Sequence, residues 1–235
     1  PRRVPVDHPD STGIADVGNN VNGVQLPDGR LVIQAYCQAS KGLENDRDNP
    51  SRSFLLVSGD GGATWRRGAE WSPGYAAMEY ALLATASGGL YVNQRSLGPC
   101  RKVAWLDGPD AKGVELRDDP ALPEPVCHAG LAGVGPGAGG GPSLVLFVNP
   151  AVPNDTKRYQ EGTRRRLTVR LSRDGGRTWP ASRVLEEGKA GYADLAATGD
   201  RTILCLYENG PERYDDQISV ARFPPEWVLE GPPPE

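Results

Sequence analysis

Leu167-Thr-Val-Arg-Leu-Ser-Arg-Asp-Gly-Gly-Arg-Thr-Trp179 decides the fold of this chain, because its pattern occurs twice. The counterpart is Phe54-Leu-Leu-Val-Ser-Gly-Asp-Gly-Gly-Ala-Thr-Trp65. Both read as an apolar strand running into one kind of turn, Ser-x-Asp-Gly-Gly-x-Thr-Trp. Each position of that turn has a physical reason. Ser58 or Ser172 opens it, and the short carboxylate of Asp60 or Asp174 accepts backbone N–H bonds within its own turn. Gly62 and Gly176 supply positive φ without steric cost, Thr is a second local hydrogen bonder, and Trp65 or Trp179 packs back on the sheet. A calcium loop needs several oxygen ligands where each turn has one acid, so the aspartates are read as structural and no metal is assigned.

Outward from these turns a second shape repeats. Gly23 to Tyr36 is an apolar run, a turn at Asp28-Gly29 and a second apolar run, which is a hairpin. The shape returns from Ala81 to Asn93 around Ser87-Gly88-Gly89, and from Ala193 to Tyr207. A stretched copy spans Ala129 to Val148, its two apolar runs separated by the flexible run Gly135 to Pro142. Hairpins starting at residues 23, 81, 129 and 193 leave roughly 50 to 65 residues per unit, room for the four strands of a β-propeller blade. With 30 Gly and 22 Pro but one Met and three Phe in 235 residues, turns are frequent and long helices have little room. The expectation is an all-β chain in one domain: an irregular segment over 1–20, about four blades over 22–223 and a Pro-rich tail over 224–235.

Composition also narrows function. The longest apolar stretches, such as Leu144 to Val148 and Ile203 to Tyr207, are strand-sized, far below the roughly 20 residues of a membrane-spanning helix. No membrane span is expected. A formal charge of −4 offers no basic footprint, so nucleic acid is not an expected partner. Cys37, Cys100, Cys127 and Cys205 form no Cys-x-x-Cys pair and have no His at ligand spacing, the histidines being His8 and His128, so no zinc site is expected. Cys205, inside an apolar run, reads as a small buried hydrophobe rather than half a disulfide. The chain begins with Pro and shows no apolar signal-peptide core, so it is read as processed or as cut from something longer. A secreted, periplasmic or lysosome-like setting is compatible with it; compartment and oligomeric state stay open.

Several polar residues sit on or beside the first strands of the repeats, where a propeller lines its central channel. They occur in Met78-Glu79-Tyr80-Ala81-Leu82, in Val92-Asn93-Gln94-Arg95, in the run from Arg164 to Ser172, in Gly191-Tyr192-Ala193-Asp194-Leu195 and in Cys205-Leu206-Tyr207-Glu208. With the turns, these segments make the chain resemble the exo-α-sialidase (neuraminidase) family, whose six-bladed propeller carries such turns, the Asp boxes or BNR repeats, on its periphery. The resemblance runs from about Asn22 to Phe223. It implies that Glu79 is the family's catalytic glutamate and that Arg95, 16 residues on, is one arginine of the triad that holds the substrate carboxylate. It implies that Arg164 is the triad's last arginine and that Tyr192, 28 residues later, is the nucleophile.

The chemistry accounts for these residue types. A sialic acid carries a carboxylate on its anomeric carbon, so a carboxylate nucleophile would approach against like charge and a neutral tyrosine would not. Sialidases with a tyrosine nucleophile are an exception among glycosidases for that reason. A phenol with a free pKa of roughly 10 is a weak nucleophile and needs a base within reach, the role implied for Glu79. Fork-shaped, permanently charged arginines hold a carboxylate bidentately, the role implied for Arg95 and Arg164. The implied partner is a sialylated glycan, and no metal or organic cofactor is implied.

The chain also departs from the family. The first triad arginine, in a Phe-Arg-Ile-Pro-like segment, and the acid/base aspartate belong to the opening blades. Pro1 to Asn20 contains Arg2, Arg3, Asp7 and Asp10 but no segment resembling either motif, and Arg222-Phe223-Pro224 is not one. The four blades therefore correspond to the last four of six, and the chain is read as an incomplete exo-α-sialidase with apolar open blade faces. The alternative is a catalytically inactive sialidase-like propeller that binds sialylated glycans.

Overall fold

The computed structural model describes residues 13–17, 23–39, 51–72, 79–136, 142–154 and 161–231. Arg2, Arg3, Asp7, Asp10, Met78, most of the Gly/Pro run after Gly135 and the last four residues lie outside this set. Among the described residues regular structure is almost entirely β, as the turn-rich composition implied: fifteen strands, one 3-10 turn at Glu161–Thr163 and one helix, α1, at Glu226–Leu229. No helix is long and apolar enough to cross a membrane among these residues. The chain divides into two compact units, Pro1–Gln94 with Val103–Arg117, and Arg95–Lys102 with Asp118–Glu235.

The first unit starts with β1 (Gly13–Val17), β2 (Val24–Gln25), β3 (Leu31–Ala39), β4 (Ser51–Ser58) and β5 (Arg66–Trp71). These form one antiparallel sheet in the order β1-β3-β4-β5, with β2 also on β3. The hairpin β6 (Tyr80–Ala84) and β7 (Leu90–Gln94) follows, with Leu82 opposite Val92. Its core gathers the apolar positions of both, among them Val32, Leu55, Val57, Trp71, Leu82 and Leu90. Tyr80 is fully buried there because its hydroxyl donates to the Phe54 carbonyl at 2.7 Å, which satisfies the phenol that burial would otherwise strand. Next in the chain are β8 (Cys100–Leu106) and β9 (Arg117–Pro123), and the sheet order is β6-β7-β8-β9.

The second unit is dominated by a six-stranded antiparallel sheet, β10 (Gly130–Pro136), β11 (Pro142–Pro150), β12 (Arg165–Ser172), β13 (Ala181–Ala197), β14 (Ile203–Gly210) and β15 (Gln217–Phe223), in sequence order. β13 holds the arrangement together. Ala181 to Lys189 pairs with β12, and Lys189 to Ala197 pairs with β14, so a single 17-residue strand changes partners midway. Its second half also passes against β10, which Gly130 permits: a Cβ there would lie 2.8 Å from the Cα of Asp194. The core between the halves collects alternate residues, Leu146 and Val148 on β11, Leu167, Val169 and Leu171 on β12, and Leu195 and Cys205 beyond, with Phe223 and Val228 closing it. Each such fully buried leucine contributes about 1.5–3 kcal/mol, which outweighs any local preference of the strand's polar positions. Cys100, Cys127 and Cys205 are buried free thiols, and burial pushes Cys205 up to about 12.

Candidate active site

The two Ser-x-Asp-Gly-Gly-x-Thr-Trp turns join β4 to β5 and β12 to β13, and they are built alike. Ser58 Oγ donates to Asp60 Oδ1 at 2.8 Å and accepts the Gly62 N–H at 2.9 Å; Ser172 does the same for Asp174 at 2.7 Å and Gly176 at 2.9 Å. Each carboxylate then takes the backbone N–H and hydroxyl of the following threonine, Thr64 at 2.8 and 2.6 Å and Thr178 at 2.9 and 2.6 Å. The hydroxyl of Thr64, its N–H and the Ser58 hydroxyl draw Asp60 down to about 2. The tryptophans differ: Trp65 Nε1 donates to its own turn at Gly62, whereas Trp179 is buried, packs on Phe147 and donates to Asp119.

At the opposite end of β12 the polar residues converge. Arg164 precedes the strand and Ser172 ends it, so eight residues, about 26 Å at ~3.3 Å each, separate this cluster from the turn. At its centre is Tyr192, placed by a β-bulge. The register runs Ala190 with Asn209 and then Ala193 with Tyr207, so Gly191 and Tyr192 together oppose Glu208 alone. The Tyr192 N–H thereby loses a ladder partner and donates instead to Glu208 Oε2 at 2.9 Å. Only glycine fits beside it. A Cβ on Gly191 would fall on Glu208 Oε2 and 2.6 Å from Tyr214 Cδ2.

Two arginines meet the half-buried Tyr192. Arg95, 97 residues earlier, donates from Nη1 to the phenol oxygen at 3.4 Å. The buried Arg164 guanidinium lies 5.2 Å from the Tyr192 ring centroid and 4.6 Å from that of Tyr214. Arg164 also donates to the carbonyl of Val126 at 3.1 Å, and Val126 holds φ of 61°, a rare conformation for a β-branched residue that costs on the order of 1–3 kcal/mol. His128 stacks on Tyr192 at 5.3 Å between centroids while its Nδ1 pairs with the Ala193 carbonyl at 3.0 Å.

Behind Arg95 a buried polar network fixes the loop that carries it. Arg101 and Glu124, both almost wholly buried, pair at 2.5 Å; Arg101 also donates to the Cys127 carbonyl and Glu124 accepts the Cys127 N–H. Burial pushes the Glu124 carboxyl above its ordinary value, while Arg101, the Cys127 N–H and Arg95 pull it back. Asn154 Nδ2 donates to the Leu97 carbonyl, and the Glu124 N–H donates to that of Pro99. Among the described residues no group of three or more His, Cys, Asp or Glu is placed to hold a metal ion. Glu79 belongs to the first unit, buried immediately before β6.

Residues 6–205 match the family of BNR repeat-like domains. The sialidase of Micromonospora viridifaciens is 33% identical over 165 residues, 68% of this chain and 24% of that protein. The chain belongs to the sialidase family with BNR repeats. Human Sialidase-4 is 27% identical over an alignment covering 90% of the chain and 63% of that protein. The solved Hadza microbial sialidase Hz136 superposes with a TM-score of 0.73 at 26% identity, covering 95% of this chain and 40% of that one. The chain thus spans between 24% and 63% of the length of these two curated relatives.

Within this sialidase-family chain, Tyr192, Arg95 and Arg164 come together from three separate sequence segments. Glu208, read in the sequence as one of the channel-side polar residues after Cys205-Leu206-Tyr207, proves to be the partner of the Tyr192 amide. Glu124, His128 and Tyr214 had no motif to mark them. A weak signal existed for His128, one of two histidines in the chain. None existed for Tyr214, whose position depends on a loop geometry that composition does not encode.

Proposed function

We propose that this protein is a retaining exo-α-sialidase, or the C-terminal part of one, releasing terminal sialic acids from glycoconjugates. The observation that carries the proposal is the convergence of Arg95 and Arg164 on the phenol of Tyr192. Two permanent cations around one tyrosine suit a substrate whose reacting carbon carries a carboxylate, and a neutral sugar would leave them without purpose. In the proposed cycle Arg95 and Arg164 hold that carboxylate. Glu79 takes the phenol proton as Tyr192 oxygen bonds to the anomeric carbon and the glycosidic C–O bond breaks, the leaving oxygen taking a proton from an acid. Water then attacks the same carbon, giving a proton to the conjugate base of that acid, Tyr192 oxygen departs with the proton held by Glu79, and two inversions give retention. The Glu208 carboxylate and the bulge fix the backbone from which Tyr192 attacks.

The proposed architecture is a six-bladed propeller of which this chain supplies about four blades, within one domain. The partner exchange along β13 supports it, since one continuous strand ends one four-stranded unit and begins the next. So does the outer pair of strands: Leu206 stands opposite Val220, Ile218 lies two residues away, and all three are exposed, 51% to 74%. Such an apolar face suits cover by a further blade, and the relatives have length to spare for it. The missing triad arginine and acid would come from sequence outside this chain.

The test is turnover of a fluorogenic aryl sialoside beside Tyr192→Phe. Turnover that vanishes in the variant supports the assignment; equal turnover in both ends it. For the carboxylate clamp, Arg164→Ala should weaken binding of a sialic acid analogue about 10- to 100-fold, the worth of a charge-assisted hydrogen bond. Arg177→Ala, in the distant turn, should leave it unchanged. Equal effects would remove the clamp.

A further inference from the structure

A cavity of about 480 Å³ opens beside the site, walled by Gly162, Arg165, Lys189, Glu212, Arg213 and Tyr214. Its volume is in the range that holds a sugar unit. Tyr214 belongs to both places, because it lines the cavity and its ring also packs on Arg164, which meets Tyr192 as well. Two side chains in contact, Tyr214 and Arg164, therefore link the cavity to the proposed nucleophile.

Its electrostatics are unusual for a cross-strand pair. Arg165 and Lys189 are direct cross-strand partners, like charges in a position that normally repels. Both are exposed, and neither has an ion-pair partner among the described residues: Lys189 donates to the Glu212 carbonyl, and the neighbouring carboxylate Glu187 faces Arg166 instead. Arg213 adds no free charge, since it is bound through two hydrogen bonds of 2.9 Å to Asp215. The loop is held in shape by Asp216, which accepts the N–H groups of Glu212 and Arg213 at 3.1 and 2.7 Å. An anion between Arg165 and Lys189 would turn a repulsion into two attractions. Tyr214 in the wall favours a ligand with a ring to pack on it over a bare ion.

We propose that this cavity is a second subsite, binding an acidic sugar next to the one held at Tyr192, with Arg165 and Lys189 as its cations and Tyr214 as its platform. The inference rests on the sialidase reading of the Tyr192 site and extends it to substrates carrying a second negative charge. That charge is a carboxylate in a disialyl unit or a sulfate ester in a sulfated one.

The test is calorimetric binding of three glycans to the chain and to Arg165→Ala/Lys189→Ala: a monosialyl methyl glycoside, an α2,8-linked disialyl glycoside and a sulfated sialyl-lactose. The wild type should bind at least one dianionic glycan about fivefold more tightly than the monosialyl one, as two solvent-exposed charge contacts allow, with the gain shrinking in high salt. The double variant should lose that gain and keep the monosialyl affinity. A gain for only one dianion identifies carboxylate or sulfate as the group recognised. No gain for either, or a gain that survives in the variant, overturns the subsite. Failure of the sialidase reading looks different: the monosialyl glycoside itself would not bind, or would bind unaffected by Arg164→Ala.

Discussion

Replacing Gly191 by alanine probes the bulge that places Tyr192. The added Cβ would fall on Glu208 Oε2 and 2.6 Å from Tyr214 Cδ2, closer than non-bonded atoms approach, so both side chains must move. As Glu208 swings away, the 2.9 Å bond from the Tyr192 N–H is lost, a charge-assisted hydrogen bond worth about 1.5–3 kcal/mol. As Tyr214 moves, its packing on Arg164 goes, worth about 0.5–2 kcal/mol. Together they give a loss of about 2–5 kcal/mol in urea unfolding followed by tryptophan fluorescence. They also displace Tyr192 and the arginine beside it, and a misplacement of about 1 Å costs roughly a hundredfold in turnover of an aryl sialoside. Gly188→Ala on the same strand is the control, because its Cβ would meet only the end of the Glu186 side chain, at 3.2 Å. If Gly191→Ala matches Gly188→Ala in both stability and turnover, the bulge does not position Tyr192. A loss of stability with full turnover would leave the packing argument standing and refute the catalytic one.

Two other outcomes follow from the charges. Asp60 titrates below its ordinary 3.8, at about 2, because Thr64 and Ser58 hydrogen-bond its ionised form; its folded pKa is depressed, so its contribution is complete above about pH 4 and disappears as pH falls toward 2. Asp174 shifts the same way, burial opposing but the Thr178 and Ser172 bonds prevailing. Urea midpoints between pH 5 and pH 2 should fall more steeply for wild type than for Asp60→Asn; parallel curves would contradict the turn's electrostatics. Glu124→Ala should cost about 3–5 kcal/mol, since it leaves Arg101 charged and buried without its carboxylate, while Glu124→Leu with Arg101→Met should recover most of that. If the single and double variants unfold at the same urea concentration, the pair is not what stabilises the Arg95 loop.

Much of the fold is legible in the sequence. The four hairpins beginning near 23, 81, 129 and 193 appear as β2–β3, β6–β7, β10–β11 and the second half of β13 with β14. They were readable because apolar runs and Gly-containing turns act locally, within a dozen residues. The two Asp turns were readable for the same reason, every bond of the serine and aspartate lying within four residues. Tyr192, Arg95 and Arg164 could be named from segments resembling a family.

What sequence could not settle is every contact made across distance. That Gly191 and Tyr192 bulge opposite Glu208 depends on a partner 16 or more residues away, and that β13 is one strand serving two neighbours depends on two separate ladders meeting in it. The cross-strand meeting of Arg165 with Lys189, the seat of Tyr214 on Arg164 and the buried Arg101–Glu124 pair have the same origin. Local pattern determined where strands and turns form, because each is stabilised by its own residues. Which side chains share a site was decided by tertiary packing, because a strand's register and the burial of its neighbours belong to the whole sheet rather than to any segment of it.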